Sequence, residues 1–217
     1  MYAQLIKSLS EKNTTLVAVS KTKPIEKIMD LYNQGQRIFG ENRVQEMVEK
    51  ATALPDDIAW HQIGTLQKNK VKYIAPFVSM IHSVDSISLL KVIEKEAIKN
   101  DRTIDVLLQV RIAQEETKHG VTVEEVQQWH KDGVLEDFTH VRICGLMGMA
   151  TFTHDEAQVA GEFKNLSACY ERLKQAHYPD EDSFSIKSMG MSGDYQLAID
   201  CGSNMVRIGS LLFGARS

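Results

Sequence analysis

Lys21 stands just past a short apolar stretch, in Leu16-Val-Ala-Val-Ser-Lys21-Thr-Lys23-Pro24. An amine at the rim of an apolar interior is partly desolvated, which disfavours its ammonium form and readies it for attack on a carbonyl. A solvated loop lysine gives the same pattern, since lysines are mostly exposed. Polar groups follow three more apolar stretches, in Phe39-Gly40-Glu41-Asn42, His61-Gln62-Ile63-Gly64 and His82-Ser83. Asn42 also suits the cap of a following helix. Two segments rich in small residues come late in the chain, Ser188-Met-Gly-Met191-Ser192-Gly-Asp194 and Arg207-Ile-Gly209-Ser210. Glycine lets the backbone approach an anion closely, and hydroxyls and helix N-terminal N–H groups bind it. The Ser192-Gly193-Asp194 stretch reads equally as an ordinary turn and helix cap. An amine and two anion-binding loops together suit a phosphorylated carbonyl compound.

These residues act together only if the fold brings them to one place. Apolar runs predict strands over 15–20, 37–40, 59–64, 78–84, 103–112, 141–149 and 183–189, with an eighth inside 205–213. Helical spacing follows Pro24, through Ile25, Ile28, Met29 and Tyr32, and recurs over 42–52, 67–74, 86–99, 122–131, 155–176 and 194–200. Thr122 with Glu125 three residues on carries the signature of a capping box. Strands alternating with helices imply a parallel sheet, and continuously apolar strands imply that both faces are covered. Eight such units predict a single (β/α)8 TIM barrel, compact for a fold that usually needs about 250 residues. A doubly wound open sheet is the rival, weakened because no Gly-x-Gly-x-x-Gly or Walker loop follows any strand. In such barrels the working residues lie at the C-terminal ends of the strands, and the loops after strands seven and eight frequently bind phosphate. The candidate residues fall at those ends.

The composition narrows the field. With 217 residues, the chain supports one well-buried core, so residues 1–217 are read as one domain. A net charge of −4 leaves no electrostatic footprint for nucleic acid. The apolar runs are too short to span a bilayer, and the N-terminus has no signal-type apolar region, so a cytoplasmic protein without membrane association is expected. Cys144, Cys169 and Cys201 are widely separated and cannot all pair, which fits a reducing compartment and gives no support to a metal site.

A lysine facing phosphate loops suits both a sugar-phosphate lyase working through a lysine imine and a pyridoxal-phosphate protein. The motifs narrow this further. Val17-Ala-Val-Ser-Lys21-Thr-Lys-Pro24, Phe39-Gly-Glu-Asn42-x-Val-Gln-Glu46, Trp60-His-x-Ile-Gly64-x-Leu-Gln-x-Asn-Lys70, Ile81-His-Ser-Val84, Ser188-Met-Gly-Met-Ser192 and Arg207-Ile-Gly-Ser210 occur in this order. Together they resemble the pyridoxal phosphate homeostasis protein family, which is similar to the N-terminal barrel domain of alanine racemase. The stretch Met147-Gly-Met149-Ala-Thr-Phe152 departs from the family pattern in being more apolar.

The resemblance implies pyridoxal 5′-phosphate held as a Schiff base (an internal aldimine) on Lys21. It implies phosphate contacts from Met191, Ser192, Gly209 and Ser210, Arg207 against the pyridine nitrogen, and Asn42, His61 and Ser83 along the pocket. Arginine offers only donors, so it opposes protonation of that nitrogen and weakens the cofactor as an electron sink. The implied function is intracellular homeostasis of the cofactor, without turnover and with apo-enzymes as partners. An amino-acid racemase is the runner-up; His61, His82 and Tyr195 are its candidate acid/base groups. A racemase of this type draws a tyrosine from a second β domain, and this sequence stops at Ser217, so a monomer without turnover is expected.

Overall fold

The computed structural model describes residues 2–113 and 120–214. Eight parallel strands close into a barrel in chain order: β1 (Thr15–Val19), β2 (Ile38–Glu41), β3 (Ala59–Gln62), β4 (Met80–Val84), β5 (Ile104–Gln109), β6 (Val141–Met147), β7 (Ile186–Ser188) and β8 (Met205–Ile208). Around them run α1 (Tyr2–Glu11), α2 (Ile25–Tyr32), α3 (Val44–Ala53), α4 (Val71–Ile74), α5 (Ile87–Lys99), α6 (Val123–Lys131), α7 (Glu156–His177), α8 (Tyr195–Asp200) and α9 (Ser210–Phe213). The register from Thr15↔Met205 to Ala18↔Ile208 joins β1 to β8, so the sheet is a (β/α)8 barrel and not an open doubly wound one.

Strand residues alternate between the barrel interior and the helix layer. Val17, Met80, Leu107, Cys144 and Met205 pack together inside. Ala18, Trp60, Ile81, Val106, Leu108 and Leu146 pack outside against the helices. Both faces are therefore apolar, which is why the strands read as unbroken apolar runs. Counting on by two from the inner layer gives Val19 and Lys21 after Val17, Arg207 and Gly209 after Met205, and Gln109 after Leu107; all of these line one cleft.

The capping box reads true: the Thr122 N–H donates to Glu125 Oε2 at 2.7 Å, and the Glu125 N–H donates to Thr122 Oγ1 at 3.1 Å. The helix expected from residue 42 starts at Val44 instead, with Arg43 at its cap, so Asn42 is not a helix cap. The strands β1, β3, β5 and β6 end before their apolar runs do, because the chain continues past the last ladder bond towards the cleft. A helix absent from the sequence reading is α1. Its Leu5 and Leu9 pack on Leu16, Val206 and Ile208, covering the β1–β8 seam. Neighbouring α8 and α9 have only 6 and 4 residues, too few to cover that seam alone.

Gly145 shows how tightly the barrel closes. Its φ is +145°, and an added Cβ would lie 2.0 Å from the Ile186 carbonyl oxygen of β7. Backbone cannot yield as a flexible side chain does. Gly145→Ala is expected to cost about 2 kcal/mol or more, from strained dihedrals and a displaced β7. Chemical denaturation would check this, and an unchanged midpoint would contradict it.

Candidate functional site

A cleft of about 660 Å³ opens at the C-terminal ends of the strands. Lys21, Asn42, Met191, Ser192, Arg207, Gly209 and Ser210 all line it, so seven of the sequence candidates converge. His61 and Ser83 are not on its wall.

Lys21 follows Ser20, whose hydroxyl donates to Glu41 Oε1 at 2.6 Å. Glu41 is fully buried, and its Oε1 also accepts from the Lys50 ammonium at 2.7 Å. Burial pushes the Glu41 carboxyl above its usual range, while the bonds from Lys50 and Ser20 oppose the shift. Lys23 also reaches the cleft, and its ammonium donates to the carbonyls of Phe213 and Gly214.

Asn42 reaches the wall because the chain after β3 passes very close to it. An added Cβ on Gly64 would lie 2.6 Å from the Asn42 carbonyl oxygen. Gln62 bridges the two turns, donating to the carbonyls of Asn42 at 2.9 Å and Gly64 at 3.0 Å. Ser83 donates to the same Gly64 carbonyl at 2.7 Å. It thus supports the wall from behind: counting in twos from the inward Met80 passes through His82 and leaves Ser83 on the other parity, and β4 is irregular between Ile81 and Val84.

On the opposite side, Ser192 Oγ accepts from the N–H groups of Gly209 at 3.2 Å and Leu211 at 3.5 Å. The loops after β7 and β8 are therefore bonded to each other at the rim. Asp194 stands at the N-cap position of α8 but makes no side-chain cap bond there. Its carboxylate accepts the Met191 N–H instead and shapes the loop.

Arg207 is 4 % exposed and touches the cleft with one edge. Its guanidinium donates to the Ser188 carbonyl and Ser188 Oγ, both at 2.8 Å, and to the Gly148 carbonyl at 3.1 Å. Burial pulls its pKa down to about 10, so it stays charged near neutrality. Below it, His82 Nδ1 lies 3.2 Å from Ser188 Oγ, and His82 Nε2 lies 2.9 Å from His61 Nδ1. A guanidinium only donates, so Ser188 accepts from it, and the arrangement that gives the serine proton an acceptor directs it to His82 Nδ1. His82 then carries its proton on Nε2 and donates to His61. Burial holds both imidazoles neutral: His61 is lowered to about 4, and His82 falls well below its usual value. Tyr195 packs with the cluster under α1 and is not on the cleft wall either.

The wall carries three cations, Lys21, Lys23 and Arg207, against one acid, Asp194. Val19, Ile63, Met149 and Phe152 supply apolar surface. Hydroxyls, backbone N–H groups and cations beside a flat apolar patch fit a small aromatic phosphate that carries a carbonyl group. Gln109, Met149 and Phe152 were missed as candidates. Gln109 was within reach of the alternation, two residues past Leu107. Among the described residues no three histidine, cysteine or acidic groups gather as metal ligands, and no helix is long and apolar enough to cross a membrane.

The family model described as alanine racemase, N-terminal domain, matches residues 2–217. The pyridoxal phosphate homeostasis protein of Aquifex aeolicus is 40% identical over 207 residues, covering 95% of this chain and 89% of that one. Its counterpart in Schizosaccharomyces pombe is 37% identical over 218 residues, covering 99% and 89%. The structure of PipY from Synechococcus elongatus PCC7942 with PLP bound superposes with a TM-score of 0.86 at 33% identity, covering 99% of this chain and 100% of that one. An alanine racemase of Clostridium difficile 630 shares the fold, with a TM-score of 0.77 at 19% identity, covering 97% of this chain and 58% of that one.

The buried imidazoles make stability depend on pH. Unfolded, they take up a proton near 6.5; folded, His61 does so only at about 4, and burial holds His82 well below its usual value. Between these values the unfolded chain binds more protons, so stability is full above pH 6.5 and falls on acidification, by up to about 1.4 kcal/mol per pH unit for each imidazole. His130, lowered to about 4 by burial, adds a share of its own. His61→Asn, whose amide oxygen can replace Nδ1 as acceptor, is expected to flatten the fall in melting temperature between pH 6.5 and 4. A wild-type slope in that variant would contradict the assignment.

Proposed function

The chain belongs to the pyridoxal phosphate homeostasis protein family, and on that premise we propose that it binds pyridoxal 5′-phosphate covalently through Lys21 and serves intracellular homeostasis of that cofactor. The observation that carries the reading is the convergence of Lys21, Arg207 and the two small-residue loops on one cleft. When bound, the cofactor supplies a reactive aldehyde and an electron-accepting ring. Lys21 offers the amine for the aldehyde. The hydroxyls of Ser192 and Ser210 offer donors for the phosphate, Gly209 leaves the backbone open to its approach, and Met191 lies beside them. Arg207 keeps its own protons and offers only donors, so it favours a ring nitrogen without a proton. Asn42 borders the remaining wall, with Ser83 bracing the Gly64 turn behind it and His61 in the barrel interior beneath.

The same geometry favours holding the cofactor over turning over a substrate. A racemase needs an acid and a base at the reacting carbon. Of the candidates, His61 and His82 are neutral, bonded to each other and set below the cleft, and Tyr195 lies beneath α1. Storage, delivery to apo-enzymes or buffering of the free aldehyde needs no such pair. We take residues 1–217 as one domain that works as a cytoplasmic monomer. Away from the cleft, the exposed apolar side chains Ile25, Tyr73 and Ile98 sit on three different helices.

Purified protein given the cofactor should turn yellow, and borohydride should bleach the band and fix the adduct. Mass spectrometry is expected to place that adduct on Lys21; an adduct mainly on Lys23 or Lys70 would overturn the assignment. Lys21→Ala is expected to melt within a few degrees of wild type, because packing comes from the strand interiors. It should show no visible band and should fail to complement a deletion strain. Full complementation by that variant would contradict the proposed role of the covalent link.

A further inference from the structure

We propose that Glu46 and Lys50 are positioning residues: they clamp the two peptide groups on either side of Lys21 and so set how tightly its amine holds the cofactor. The inference rests on the binding role just proposed for Lys21. Glu46 and Lys50 lie four residues apart on α3, so they share one helix face, and they pair at 2.7 Å. The Lys50 ammonium has three protons, and each finds an acceptor. It donates to the Ser20 carbonyl at 2.8 Å, to Glu41 Oε1 at 2.7 Å and to Glu46 Oε1. Glu46 Oε1 also accepts the N–H of Thr22 at 2.5 Å.

The Ser20 carbonyl belongs to the peptide that enters Lys21, and the Thr22 N–H to the peptide that leaves it. One is gripped by the ammonium and the other by the carboxylate, and the two grips bond to each other. Lys21 therefore stands inside a closed ring of hydrogen bonds that fixes the direction of its side chain. Thr22 adopts a left-handed φ of +62°, unusual for a residue other than glycine. Such a conformation persists only where surrounding structure over-determines it. The clamp is also costly in position, since the Lys50 side chain is 7% exposed and Glu41 wholly buried. Buried ion pairs of this kind are poor stabilisers compared with apolar packing, so geometry is the better account of their placement. The alternation that aims Lys21 inward ends with Val19 of β1; beyond the strand the clamp takes over that task.

The test uses the full chain loaded with pyridoxal 5′-phosphate, as wild type, Glu46→Ala and Glu46→Gln. It reads the rate of cofactor release into excess competing amine, the pH midpoint of the visible band, and the melt of the unloaded protein. Glu46→Ala loses the acceptor for the Thr22 N–H, and is expected to release roughly tenfold faster or more, the scale on which a misplaced reacting group acts. Its pH midpoint should move as well. Glu46→Gln keeps an acceptor oxygen and should stay near wild type. Glu46→Leu, which keeps bulk without the acceptor, replaces Glu46→Ala should the latter not fold. Release at the wild-type rate with an unmoved midpoint would overturn the clamp, as would equal release by the alanine and glutamine variants. Failure of the wild type to load on Lys21 would overturn the binding role itself, which separates the two readings.

Discussion

In a closed parallel barrel each strand has one inward face, and a residue's depth on that face is fixed by counting in twos. Nearly everything functional here hangs on that constraint. Val17, Met80, Leu107, Cys144 and Met205 close the lower interior as an apolar plug. One step up, His82, Ser188 and Arg207 form a polar layer. Lys21 and Gly209, two steps above Val17 and Met205, and Gln109, one step above Leu107, open into the cleft. The helices outside see the other parity and supply most of the buried apolar contact, so the inner face can turn polar towards its mouth without unmaking the fold.

Much of this was legible in the sequence, because apolar runs and helical spacing are local. The strand order, the Thr122 box and Lys21 past the first strand all came from neighbouring residues. The phosphate-type loops were legible by composition, since glycines and serines cluster there. What escaped depended on contacts between distant segments. The helix α1 is an exception: Tyr2, Leu5, Ile6 and Leu9 stand at helical spacing and all join the seam cluster, so its stripe was readable and was missed. His61 and Ser83 sit in motifs beside the cleft residues, yet one points into the barrel beneath and the other braces Gly64. The register of β4 is irregular between Ile81 and Val84, and nothing in Met80-Ile-His-Ser-Val84 announces it. The bond between Glu46 and the backbone next to Lys21 spans 24 residues and has no local signature.

Two buried cations are tolerated near the cleft by different means. Arg207 spreads its charge over a planar fork and meets the Ser188 and Gly148 carbonyls and the Ser188 hydroxyl, so its donors are matched by fixed dipoles. Lys50 concentrates its charge and meets two carboxylates. Its neighbour Glu41 is left with Oε2 buried and lacking a hydrogen-bond partner among the described residues, which fits burial outweighing the bonds from Lys50 and Ser20 and pushing its pKa up. The arginine solution leaves an edge exposed to the cleft; the lysine solution faces wholly into the wall.

The row of bonds from Arg207 through Ser188 and His82 to His61 runs in one direction only, with every proton pointing from strand eight towards strand three. Its direction is imposed by the single member that cannot accept. An acceptor installed at position 207 would ask each group below it to turn around, and the two imidazoles would have to trade which nitrogen bears the proton. The groups at positions 207, 188, 82 and 61 are therefore one hydrogen-bonded unit drawn from four strands. Serine and imidazole can each donate or accept, so such a change would be answered by moving protons and not by replacing residues, and its effect would reach a histidine on the far side of the barrel.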